Sequence, residues 1–142
     1  MLARSLDIVV ALGFLADEKA STYAALAERL GMSASEVYAA VQRMAEAGLM
    51  DPEKRQPRLE ALLEYLLHGV KYAFPAKRGA PTRGVPTSYA APPLAVQISK
   101  DDIPPVWADP DGKVRGYALE PLHPSVPKIA KKIGNFMSFW LW

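Results

Sequence analysis

The 142-residue sequence has no cysteine, so it can form no disulfide, no thiolate zinc site and no cysteine nucleophile, a composition that fits a reducing cytoplasm. Histidine is almost as scarce: His68 and His123 stand in separate segments, neither with paired carboxylates at metal-ligand spacing. His68 falls at the end of a helical pattern, where a C-terminal capping role suffices. Asp101-Asp102 and the Asp109/Asp111 pair sit beside proline and glycine and read as turn formers. The glycines of Arg78-Gly79 and Arg83-Gly84 do not make a phosphate loop that leads into a helix. With no nucleophile, base and orienting group to assemble, the expectation is a non-enzyme without metal or cofactor. No uninterrupted apolar run is long enough to cross a bilayer, so no membrane partner is expected. The start, MLARSLDIVVALGFLADEK, has Arg4 and then an apolar run, but Asp7 interrupts it. Leu6, Val9, Leu12 and Leu15 recur at helical spacing, which reads as a first core helix ending near Asp17 rather than a signal peptide.

What the chain does have is an apolar half, 50% of its residues, enough for a core at this length. Its most informative stretch runs from Ser21 to Gly48. Leu26, Ala27 and Leu30 place an apolar stripe on a helix opening near Ser21 or Thr22, with the small Ala27 where a second helix could cross closely. Gly31 ends it, able to take the left-handed conformation that a sharp reversal needs, and Met32 folds back between the helices. Ser33-Ala34-Ser35-Glu36 has the form of a capping box. Val37, Ala40, Val41 and Met44 then recur at helical spacing, leaving Ser35, Tyr38, Ala39, Gln42, Arg43 and Glu46 on or near the outer face until Gly48 closes the helix. Two short helices joined by a glycine turn make a helix-turn-helix, whose second helix commonly enters a DNA groove.

Leu26, Ala27, Leu30, Gly31, Met32, Val37 and Ala40, with the phrase Ala47-Gly48-Leu49, resemble the pattern of MarR-type winged-helix regulators. The resemblance implies a recognition helix over about 33–47 in the major groove of double-stranded DNA, with Ser35, Tyr38, Ala39, Gln42 and Arg43 on its reading surface. Gln42 suits adenine and Arg43 suits guanine, because each can bond bidentately to a base edge. Ser35 stands near the helix start, within reach of bases or phosphate. Glu36 fits such a surface if its capping role turns it away from phosphates.

Charge is divided unevenly. Residues 1–64 carry 7 Lys or Arg against 10 Asp or Glu, whereas residues 65–142 carry 10 against 5. No acid occurs between Glu64 and Asp101, a run that favours an anionic partner. Pro57 to His68 reads as a further amphipathic helix, with Leu59, Leu62, Leu63, Leu66 and Leu67 apolar and Gly69 as its stop. Asp51 to Arg58 leads into that helix, so the wing is expected later than in the MarR pattern, over about 70–89. Val70 to Pro75 and Val85 to Tyr89 would be its strands. Lys71, Lys77, Arg78 and Arg83 would hold the DNA backbone, where cations add affinity more than sequence choice.

The last third is punctuated by Ala91-Pro92-Pro93-Leu94 and Ile103-Pro104-Pro105-Val106, which read as extended connectors. Val106 to Ala108 and Val114 to Tyr117 flank the turn Asp109-Pro110-Asp111-Gly112-Lys113 and read as a hairpin, with Trp107 and Tyr117 in a small core. A short helix is expected from Lys128 to Lys132. The tail Phe136-Met137-Ser138-Phe139-Trp140-Leu141-Trp142 is too apolar to stand in water and is expected to serve as a dimer interface.

The fold class expected is mainly α with a small β wing (α+β). A winged helix-turn-helix would span 1–90 and a Pro-rich extension with a hairpin 91–142. The function expected is that of a cytoplasmic, homodimeric transcriptional repressor. The alternatives are an adaptor or antitoxin-like protein that binds a protein partner, and a binder of structured RNA.

Overall fold

The computed structural model describes residues 3–16, 20–91, 95 and 103–133. The aromatic tail expected to pair two chains lies outside the described residues. The chain divides into two compact units, Met1–Pro75 and Ala76–Trp142, so the boundary falls before the acid-free segment ends rather than near residue 90.

In the first unit, α1 (Ser5–Ala16), α2 (Tyr23–Leu30) and α3 (Ala34–Glu46) pack on one another. Their shared core is Ile8, Val9, Leu12, Leu26, Leu30, Val37, Val41 and Met44, all almost wholly buried. Thr22 caps α2, its hydroxyl accepting from the Ala25 amide at 3.1 Å. Gly31 ends that helix with φ 69°, the left-handed conformation expected of it, and the Met32 amide donates back to the Ala27 carbonyl. Two very short strands, β1 (Met50–Asp51) and β2 (Gln56–Pro57), pair antiparallel with Met50 opposite Pro57.

The next helix runs further than expected. It begins as α4 (Leu59–Glu64), passes through a π turn at Tyr65–Gly69 and continues as α5 (Val70–Ala73). Gly69 therefore does not stop it. A Cβ at Gly69 would come within 2.7 Å of the Tyr65 ring, so glycine here makes room for an aromatic neighbour. The strand read over residues 70–75 is thus corrected: residues 70–73 are helical and the helix ends at Phe74. Of the leucines expected to be apolar and inward, Leu62 is buried, but Leu59, Leu63 and Leu67 are 61%, 51% and 57% exposed.

The second unit is a small closed sheet of β3 (Arg78–Pro86), β4 (Pro105–Ala108) and β5 (Val114–Leu119), followed by α6 (Val126–Ile133). Both later strands run antiparallel to β3, and β4 and β5 close parallel to each other, with Pro105 opposite Tyr117. The expected hairpin is corrected accordingly: its two strands exist, but each pairs along β3 before they meet. Closure at so few strands brings backbones together, and a Cβ on Gly84 would run into the Trp107 carbonyl and one on Gly116 into that of Pro104. Trp107 is 3% exposed, a core residue as expected.

Candidate nucleic-acid interface

The outer face of α3 is prepared by its N-terminus. The Ser33 hydroxyl accepts from the Glu36 amide at 3.2 Å, and the Glu36 carboxylate accepts from the Ser33 amide at 2.8 Å. The Ser33 hydroxyl also donates to the same carboxylate at 3.0 Å, and the backbone bond from Ser33, with this side-chain bond second, favours the ionised acid and holds the Glu36 carboxyl below its usual range. Glu36 is thereby turned back onto the cap. Because its folded pKa is lowered, the box contributes fully above the unfolded pKa and is lost as pH falls through the folded one. Ser33→Ala should cost about 1 kcal/mol, read as a lowered midpoint in thermal or denaturant melting.

Buried Val37, Ala40, Val41 and Met44 anchor α3, which leaves Ser35, Tyr38 and Gln42 exposed and Ala39 half-buried. Tyr38 is also held from the side. Its ring meets the edge of Tyr23 at 5.4 Å, and Tyr23 meets Phe14 at 6.3 Å, so α1, α2 and α3 are joined by an aromatic ladder. Four of the five residues expected on the reading surface therefore lie together on α3.

Arg43 does not join them. Its Nε and Nη2 donate to the two Asp7 carboxylate oxygens at 2.8 and 2.7 Å, and its side chain is 12% exposed against a wholly buried Asp7. The Asp7 hydrogen bonds, the largest influence, raise the Arg43 pKa further. Asp7 Oδ2 also accepts the Arg4 amide at 2.8 Å. The guanidinium is spent on a bidentate pair that ties α3 to α1, and this corrects its assignment as a base reader. No other cation occurs on α3.

The wing assignment is corrected as well. The hairpin β1–β2 follows α3 directly, and its loop is built by Asp51, whose Oδ1 accepts from the Glu53 and Lys54 amides at 3.0 and 3.2 Å. Those amides, Lys54 first, hold the Asp51 carboxyl below its usual range. Arg55 takes φ 51° at the loop end, donates Nε to the Ser21 carbonyl at 2.8 Å and lies 5.7 Å from the Tyr23 ring centre. The Tyr23 hydroxyl donates to the Pro52 carbonyl at 3.3 Å, so one side chain braces both the wing and the reading helix. Lys54 and Arg58 are the exposed cations here.

The four cations assigned earlier to a wing lie elsewhere. Lys71 is on α5, its ammonium 5.1 Å from the Tyr72 ring centre. Lys77 precedes β3; Arg78 and Arg83 lie on it, with Arg78 stacked on the Tyr117 ring at 3.9 Å. Among the described residues no group of His, Cys, Asp or Glu is placed to hold a metal ion, and no helix is long and apolar enough to cross a membrane. His123 Nδ1 accepts the Ser125 amide at 3.2 Å and lies 2.7 Å from its hydroxyl, contacts that close a local loop turn.

Residues 12–49 match a family model described as winged helix-turn-helix DNA-binding. No curated protein and no solved structure matches the chain. The matched segment covers the end of α1, all of α2 and α3 and the turn before β1. Family match and geometry agree that this part of the chain is a winged helix-turn-helix, a fold of the DNA-binding kind.

Proposed function

We propose that the protein is a sequence-specific transcriptional regulator of the MarR type that represses by occupying promoter DNA as a homodimer. The observation that carries the reading is the pairing of a rigidly held α3, presenting Ser35, Tyr38, Ala39 and Gln42, with a hairpin wing immediately after it. Gln42 reads a base edge, Tyr38 and Ala39 offer apolar contact to the groove, and Ser35 bonds a base or phosphate near the helix start. Lys54 and Arg58 contact the backbone. The wing's position directly after α3 supports the MarR-type reading.

Pairing is assigned to α4 and its continuation. Leu59, Leu63 and Leu67 recur every four residues and are each more than half exposed. Glu60 and Glu64 lie in the first half of this helix, His68 and Lys71 in the second. An antiparallel two-fold places the acidic half of one copy against the basic half of the other, so the surface is complementary to itself.

Gln42→Ala should lower affinity for a preferred site by about 1–3 kcal/mol while leaving random-duplex affinity nearly unchanged. Competition binding of the two DNAs reads this directly. Equal losses on both would remove Gln42 from base reading.

A further inference from the structure

The first unit carries eight Lys or Arg against ten Asp or Glu, a net of −2, and the second nine against five, a net of +4. With Arg43 committed to Asp7, α3 has no cation for phosphates. A DNA-binding protein built this way needs positive charge elsewhere, and the second unit carries the surplus.

Its arrangement is specific. Arg83 on β3 and Arg115 on β5 are directly opposite in the antiparallel register, so their side chains leave the same face of the sheet. Both are exposed. Like charges in directly opposed positions are destabilising, and among the described residues neither guanidinium has a hydrogen-bonding or ion-pair partner to relieve the repulsion. Lys113, also exposed, lies two residues before Arg115, immediately ahead of β5. The next opposed pair on this face, two positions along, is Pro81 and Tyr117, and the Arg78 guanidinium lies on the Tyr117 ring. The nearby acids belong to the turn between β4 and β5, where Asp109 Oδ1 accepts the Asp111 amide at 2.9 Å.

We infer that this face, Arg83 and Arg115 with Lys113 and Arg78, is a binding surface for the phosphate backbone of duplex DNA. A phosphodiester between Arg83 and Arg115 converts their mutual repulsion into two charge-assisted contacts. Arg78, flattened on Tyr117, and Lys113 extend the positive row on either side. The surface contacts no base, so it adds affinity without sequence choice. The inference rests on the DNA-binding reading above and supplies the phosphate contacts that α3 lacks.

The test uses the full chain and fluorescence anisotropy, with duplex from directly upstream of its own coding sequence and a random duplex. Salt is varied over roughly 50–200 mM. Arg83→Gln with Arg115→Gln should lower the slope of log affinity against log salt by about two units and weaken both DNAs equally. Arg83→Lys with Arg115→Lys should keep the slope near wild type. The thermal midpoint of the glutamine variant should be unchanged or higher, since a repulsion has been removed. A wild-type slope in the glutamine variant would overturn the inference while leaving the DNA-binding reading intact. Loss of binding in that variant, together with no preference between the two DNAs in wild type, would uphold the face and defeat sequence-specific recognition. Absence of duplex binding by wild type even at the lowest salt, or stronger competition by RNA than by duplex DNA, would overturn it.

Discussion

Arg43→Ala is expected to lower the stability of the folded protein by about 3–5 kcal/mol, a large part of the 5–15 kcal/mol typical of a domain. The substitution leaves the wholly buried Asp7 carboxylate without its bidentate partner. It also removes the hydrogen-bonded link between α1 and the helix that presents Gln42. Denaturant melting should show an early transition of the first unit. Replacing both partners by apolar residues of similar size, Asp7→Leu with Arg43→Met, should recover most of that loss, because neither charge is then buried alone. The double variant separates a structural role from a reading role. It is expected to keep wild-type preference between DNA sequences. A base-reading Arg43 would lose that preference in the double variant, however well the protein folded.

Leu63→Glu is expected to separate the dimer while leaving the monomer folded. Leu63 is 51% exposed in the single chain, so a polar side chain is tolerated there without disturbing the core. Within an antiparallel seam the same carboxylate would be buried against leucine and lose its hydration, at a cost of several kcal/mol. Each 1.4 kcal/mol is a factor of ten, so the dimer dissociation constant should rise by a hundredfold or more. Sedimentation equilibrium should show wild type near twice the 15.5 kDa of the chain and the variant near that mass. Charge reversal gives an independent check: Glu60→Lys should weaken pairing, and adding Lys71→Glu should restore it. A wild-type protein that sediments as a monomer at tens of micromolar would remove the dimer from the proposed function.

Local chemistry was legible in the sequence, and long-range chemistry was not. The glycine reversal at Gly31 and the Ser33/Glu36 box depend on residues within a few positions of one another, and both stand in the structure as expected. Arg43 sits on the outer part of the helical wheel, and only Asp7, 36 residues away, turns it inward. Nothing in the spacing of residues 33–47 could reveal that partner. The wing was misplaced because β1 and β2 are two residues each, too short for alternation to register, whereas Val70 to Pro75 alternates well and is nevertheless mostly helical. The turn chemistry of Asp51-Pro52-Glu53-Lys54 was the available signal. Gly69 was read as a stop because glycine usually is one, yet the Tyr65 ring beside it explains the residue. Of the strands of the second unit, β4 and β5 lie near their expected limits, whereas β3 runs from Arg78 to Pro86 where a loop and then a strand over Val85 to Tyr89 were expected; the shared pairing with β3 and the parallel closure leave no mark on the pattern of β4 or β5.

The most direct test of sequence-specific DNA recognition is the anisotropy of the wild-type protein on duplex from directly upstream of its own coding sequence, with random duplex as competitor, across roughly 50–200 mM salt. Recognition through Ser35, Tyr38, Ala39 and Gln42 predicts salt-dependent binding that survives an excess of the random duplex. Binding that the random duplex displaces one for one, or no binding at all, would contradict it.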